Sequence, residues 1–409
     1  MNKKENFLTI LILGSLCTIS PLSIDMYLPG FPEIARDLKT GIPEVQWTLT
    51  SYLIGISIGQ LFYGPLLDKY GRKKPLYLGL ILYILSSIAC AYTASVDHFI
   101  MLRFLQAIGG CVGMVAAQAL VRDVFPTNKV AQALSLLTLV IAVSPMIAPT
   151  LGGYITVHFG WKMIFLVLAG ITAVIMLGVR FYLPAGADPD PSVSLRPERV
   201  IKNYRLVMKN RQFLVYMLVG GIAGAAPFAY ITGSADVFMN LYGISEKSYG
   251  WIFAILASAM IGSTQLNHLL LRKFTSEQII NVSLTYQCVV GLLMLLGVWF
   301  QWLNIYGLVT LLFIFLTGHG LNTPNTAALS LEPFSKNAGS TAAMMGFVRL
   351  GMAGLVSALV SVFHTGTALP MVSIMAACAV GALLFLGIKT PTRGLSPENQ
   401  RDAEKEMAR

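Results

Sequence analysis

Asp25 is the acid that lies deepest inside a long apolar stretch, in Ser20-Pro21-Leu22-Ser23-Ile24-Asp25-Met26-Tyr27-Leu28-Pro29. A carboxyl group in such a place is costly to keep charged and marks an ion or proton path by default. Its chemistry is reversible protonation; set close to the outer surface, the same residue would only be solvated or would cap a helix end. The cation suited to it is Arg103, in Leu102-Arg103-Phe104-Leu105-Gln106-Ala107-Ile108-Gly109-Gly110. Arg103 and Gln106 are three apart and share one helix face, while Gly109, Gly110 and Gly113 let a neighbouring helix come close. A polar stripe facing the bundle interior follows, unless Arg103 snorkels to the outer interface. Arg349, in Gly346-Phe347-Val348-Arg349-Leu350-Gly351, is a second cation in an apolar run. It is placed either to attract an anionic substrate or tune a carboxylate, or to make a structural ion pair. His319, between Gly318 and Gly320, titrates near neutral pH by type or joins two helices by a hydrogen bond. Tyr27, Tyr52, Phe228, Tyr230 and Phe347 offer rings for a drug-sized ligand, or pack against lipid and neighbouring helices.

These residues sit in a chain of 409 residues that is 55% hydrophobic and 12% charged, with mean hydropathy +0.69. Soluble domains are about a quarter charged, so this is an integral membrane protein. The net charge of +10 does not point to nucleic acid, because there is no soluble domain to carry a basic face. Cysteines 17, 90, 111, 288 and 378 all fall in apolar runs, are odd in number and lack CxxC spacing, which excludes a disulfide framework and a zinc site. No Asp-rich diphosphate motif, His-Glu-x-x-His, Walker loop or glycine fingerprint is present, so neither an enzyme nor a bound cofactor is expected. A channel or signalling scaffold lacks a filter-like repeat and a soluble domain.

Apolar runs of about 20 residues predict an all-α protein with spans at 7–29, 46–67, 75–95, 99–121, 131–156 and 161–183, then at 213–236, 249–271, 277–300, 304–328, 338–362 and 368–389. The first run starts after Lys3 and Lys4 like a signal peptide, but it continues to Pro29-Gly30 without a clear cleavage site and reads as an uncleaved span. The only long polar stretch between spans, rich in Pro, Arg and Lys, divides the chain into an N-terminal six-helix bundle (1–183), a linker (184–211), a C-terminal six-helix bundle (212–390) and a tail (391–409). Lys and Arg concentrate on one side, at Lys3, Lys4, 69–74, Arg122, Lys129, the linker, Arg272, Lys273, Lys336 and the tail. The other side has Arg36, Lys39, Lys162 and Lys247. By the positive-inside rule both termini and the linker are cytoplasmic.

The loop Gly64-Pro65-Leu66-Leu67-Asp68-Lys69-Tyr70-Gly71-Arg72-Lys73-Lys74 is too charged for hydrocarbon and must be a tight turn at a membrane surface. Its pattern resembles the loop between helices 2 and 3 of the major facilitator superfamily of twelve-helix secondary transporters. The fifth span carries Ser144-Pro145-Met146-Ile147-Ala148-Pro149-Thr150-Leu151-Gly152-Gly153, two prolines that bend a helix and two glycines that pack closely. At this position Pro-x-x-x-Pro-x-x-Gly-Gly is similar to the helix 5 motif of drug/proton antiporters. Together with the stretches at 25–32, 103–110 and 228–234, these motifs resemble the bicyclomycin-resistance (Bcr/CflA) family of bacterial multidrug efflux proteins over essentially the whole chain. That resemblance implies a monomeric inner-membrane exporter in the lipid bilayer that exchanges a small amphipathic drug for protons; export of a metabolite, siderophore or sugar is the alternative. It implies a central site between two pseudo-symmetric halves, and a gating role for Gly64, Asp68, Gly71, Arg72 and Lys73. Where relatives often have Ser-Pro, this chain has Ser234-Ala235-Asp236, which puts a further acid, Asp236, near the outer end of the seventh span.

Overall fold

The computed structural model describes residues 3–184, 186–191, 204, 205, 207–334 and 338–387; most of the linker (192–203), Lys336 and the tail lie outside the described residues. Twelve helices of 18 or more residues are present among the described residues: α1 (Lys3–Asp25), α3 (Ile42–Tyr70), α4 (Lys73–Tyr92), α5 (Val96–Val124), α6 (Thr127–Phe159), α7 (Trp161–Tyr182), α8 (Arg211–Ala235), α9 (Glu246–Leu270), α10 (Ser276–Trp299), α11 (Ile305–Leu331), α12 (Ala338–Val362) and α13 (Leu369–Leu386), with a short α2 (Phe31–Asp37) after the first. Eleven are long and apolar enough to cross a membrane by composition. The exception is α3, whose first turns carry Gln46, Thr48 and Thr50, all buried against protein.

The helices pack as two equivalent sets. In the first, α1 lies on α6, α3 and α4 lie on α5, and α4 lies on α7. In the second, α8 lies on α12, α9 and α10 lie on α11, and α10 lies on α13, the same four pairings shifted by six spans. The sets join through α3 against α12 and α6 against α9, pairs that a twofold relation exchanges.

Several boundaries differ from the sequence expectation. α1 ends at Asp25, and Pro29-Gly30 falls in a 3-10 turn (Leu28–Gly30) before α2. α3 starts four residues early and runs through Pro65 to Tyr70, since its polar first turns and charged last turn lower hydropathy without breaking the helix. The charged loop thus shrinks to Gly71 and Arg72. Gly71, at φ 78°, is in the left-handed region that glycine tolerates. Nothing lies within 4 Å of where a Cβ at Gly64 would be, so no neighbour approaches the helix closely there. α8 continues as a π-helical segment (Asp236–Leu241).

Candidate functional site

Arg103 is fully buried in the core of the first set, not snorkelling. Its Nη2 donates to the Ser23 carbonyl at 2.8 Å, its Nη1 donates to Gln106 Oε1, and Gln106 Nε2 donates to Ser87 Oγ at 2.7 Å. The guanidinium lies 4.3 Å from the Tyr27 ring centroid and 4.1 Å from that of Tyr52, so two aromatic faces enclose its charge. Tyr27 and Tyr52, which offer rings to a ligand or to packing, here pack on this cation and are fully buried. Ser23 Oγ also shares a hydrogen bond with the Tyr83 hydroxyl at 2.5 Å.

Asp25, two residues beyond Ser23 at the end of α1, is 3% exposed. It forms no hydrogen bond or ion pair with the described residues: Arg103 Nη1 and Nη2 donate to Gln106 and Ser23, its Nε is buried without a hydrogen-bond partner, and the expected Asp25–Arg103 contact is not made in this structure. Across the interface, Tyr230 and Tyr249 of the second set come within electrostatic range of it, and the buried Tyr230 hydroxyl has no partner. Asp25 therefore faces the seam between the two sets.

That seam is closed at the Asp25 end. Gln46 Nε2 donates to the Thr232 carbonyl at 3.2 Å, Thr50 and Ser357 share a hydrogen bond of 2.7 Å, and Ser57 Oγ donates to the Phe347 carbonyl at 2.8 Å. Pro145 and Pro149 lie inside an uninterrupted α6, and the two glycines after them face different neighbours. A Cβ on Gly152 would overlap the Met26 carbonyl, and one on Gly153 would lie 2.8 Å from the Glu246 carbonyl at the start of α9.

At the other end, Arg72 Nε donates to Asp123 Oδ2 at 2.7 Å and its Nη1 to Asp68 Oδ1 at 2.5 Å. Burial works against the Arg72 charge, but the hydrogen bonds to Asp123 and Asp68 outweigh it and hold its pKa above the ordinary arginine range. Asp123 also accepts from the Ala187 amide at 3.0 Å, and the Asp190 amide donates to the Asp68 carbonyl at 3.0 Å, so the start of the linker is docked on the cluster. Asp123, absent from the sequence expectation, is the better-buried partner, its side chain 15% exposed against 52% for Asp68. Exposed ion pairs contribute little and enclosed ones more. Asp123→Asn is accordingly expected to slow turnover by about tenfold with substrate affinity unchanged, and Asp68→Asn by less. Initial flux rates across a range of substrate concentrations check this; weakened binding at unchanged turnover would refute it.

Asp236 lies in the π-helical segment at the Asp25 end, paired with His364 at 2.8 Å and accepting from Asn240 Nδ2 at 2.8 Å. Phe228 and Phe347 are half-buried. His319 Nδ1 is buried without a hydrogen-bond partner, and Arg349 lies within electrostatic range of that ring. No group of three or more His, Cys, Asp or Glu able to hold a metal ion occurs among the described residues.

Comparison with known proteins accords with this architecture. The family model of the Major Facilitator Superfamily matches residues 13–358. The chain is 32% identical to a bicyclomycin resistance protein homolog of Haemophilus influenzae, covering 93% of this chain and 96% of that protein. It is 28% identical to a chloramphenicol resistance protein of Pseudomonas aeruginosa, covering 94% and 90%. Among solved structures, the partially occluded inward open xylose transporter XylE of E. coli superposes with a TM-score of 0.75 over 95% of this chain and 99% of that one, at 11% identity, a likeness of fold alone. From its motifs, its paired helix sets and these relatives, the chain belongs to the major facilitator superfamily and, within it, to the bicyclomycin-resistance family.

Proposed function

We propose that this protein is a proton-coupled antiporter that exports drugs or other small amphipathic compounds across a bacterial inner membrane, with both termini in the cytoplasm. As a member of the superfamily it is a membrane transporter and not an enzyme, and it needs no cofactor. The observation that carries the proton coupling is Asp25, a carboxyl group enclosed by protein, without a partner among the described residues and close to Tyr230 and Tyr249 across the seam. Loss of a proton there creates a charge that only a rearrangement, a substrate or water can satisfy, which ties protonation to conformation. The two halves, 1–183 and 212–390, would rock about the α3–α12 and α6–α9 contacts, with the Arg72 cluster as a latch on the cytoplasmic side. Resistance named in the relatives supports a drug as the cargo.

Inverted membrane vesicles test direction and coupling together. Acidifying the lumen should drive uptake of a fluorescent amphipathic dye, and a protease site placed at Pro191 should be cut in these vesicles and protected in intact cells. Uptake indifferent to the gradient would end the antiport reading, and cleavage only in intact cells would reverse the orientation.

A further inference from the structure

We infer that Arg349 is the anchor for an acidic group on the substrate, so that the compounds carried are amphipathic acids and zwitterions; this rests on the exporter reading above. Arg349 sits in the middle of α12. Its neighbours Gly346 and Phe347 face α3, where Gly346 packs against Gln60 and the Phe347 carbonyl takes the innermost of the Gln46-to-Ser57 seam bonds. The Arg349 stem turns the other way, onto α8: a Cβ at Gly224 would lie 3.3 Å from its Cγ and 3.4 Å from its Cδ, so the glycine makes room for the methylenes.

The side chain is exposed, not packed shut, although it lies deep among the helices. Both hold only where a residue projects into the space between helices, and the proximity of His319 on α11 places it inward as well. Arg349 forms no hydrogen bond or ion pair with the described residues. In Arg103, by contrast, both terminal nitrogens donate, to Gln106 and Ser23, and two tyrosine faces cover the guanidinium, although its Nε has no partner. An intramembrane cation normally pairs with a carboxylate or backbone carbonyls. Here Asp25, an interior carboxyl without a partner among the described residues, lies in the other helix set and faces Tyr230 and Tyr249. The geometry leaves a planar, permanently charged fork, accessible and unspent, in the position where a ligand carboxylate would complete it in two parallel hydrogen bonds. His319, beside it, supplies a ring nitrogen with no other partner.

The test is equilibrium binding of two dyes that differ in one group, rhodamine B, which bears a free carboxylate, and its ethyl ester, to the full chain in nanodiscs at neutral pH. The parent should prefer the acid. Arg349→Gln should weaken rhodamine B binding by roughly tenfold to a hundredfold and leave the ester unchanged, the ester serving as the control for folding. Arg349→Lys should restore part of the loss, keeping the charge without the fork. Equal losses for both dyes, no loss, a parent that prefers the ester, or a parent that binds neither would overturn the assignment. Because binding needs no gradient, acid preference without gradient-driven flux would sink the exporter reading alone. Flux without acid preference would sink this inference alone.

Discussion

Asp25→Asn is expected to abolish uphill, pH-driven efflux while leaving substrate binding and some downhill exchange intact. Asparagine keeps the size of the side chain and removes the only chemistry that the enclosed site has to offer, the gain and loss of a proton. A carboxyl group without a cation holds its proton, and one beside a guanidinium gives it up. In this structure Asp25 has no such neighbour, but Arg103 already donates to the carbonyl of Ser23, two residues away, so a modest change at the end of α1 would bring the two together. One proton moved through about 100 mV releases roughly 2.3 kcal/mol, enough for a gradient of roughly fiftyfold, and the Asn variant should lose all of it. Proton release from detergent-solubilised protein on adding rhodamine B gives the decisive reading. The parent should release protons and the variant none; release at the parental level would move the coupling elsewhere, with Asp236 next in line.

Gly152→Ala is expected to be among the most damaging single methyl additions in the chain. The Met26 carbonyl occupies the place where the new Cβ must go, and both groups belong to backbone that cannot rotate away. α1 and α6 must separate, at a cost near the upper end for overpacking, about 3 kcal/mol. The same shift would disturb the Asp25 end of α1, so transport should fall along with stability. The five native cysteines are all buried, so their reaction with a fluorogenic thiol reagent during heating reports unfolding. Gly152→Ala should unfold several degrees lower than the parent. Gly170→Ala, where nothing lies within 4 Å, should be neutral or slightly stabilising, because alanine is the better helix former. Identical unfolding of Gly152→Ala and the parent would show that the α1–α6 contact is not as close as described.

Apolar run length revealed the number and order of the long helices, since each must bridge hydrocarbon and has no other way to satisfy its backbone. Their ends were less legible. Hydropathy falls at Gln46 and again at Asp68, yet a helix that leaves the hydrocarbon remains a helix, and α3 keeps its form to Tyr70. Arg103 was recognisable as an interior residue from Gln106 one turn away, and the two do meet. Its choice of a backbone carbonyl over Asp25 was not recognisable, because side-chain type says nothing of which acceptor a neighbouring helix presents. The same limit hid Asp123, which meets Arg72 from 51 positions along the chain, and His364, which meets Asp236 from 128. The only trace of Asp123 in the sequence is a charged pair, Arg122-Asp123, closing an apolar run.

The unspent guanidinium of Arg349 has an electrical consequence. If Asp25 is the one proton site of the proposed exchange, one positive charge enters the cell with each turnover. For a neutral cargo that is the whole current, and for a cationic cargo leaving as the proton enters the current vanishes and the membrane voltage does no work. An anion held by Arg349 leaves as the proton enters, and both movements run with the field. Two elementary charges through about 100 mV release roughly 4.6 kcal/mol, which raises the sustainable gradient from roughly fiftyfold to roughly two thousandfold. A single cation on α12 would thus make the cell's voltage, more than its pH difference, the engine of export.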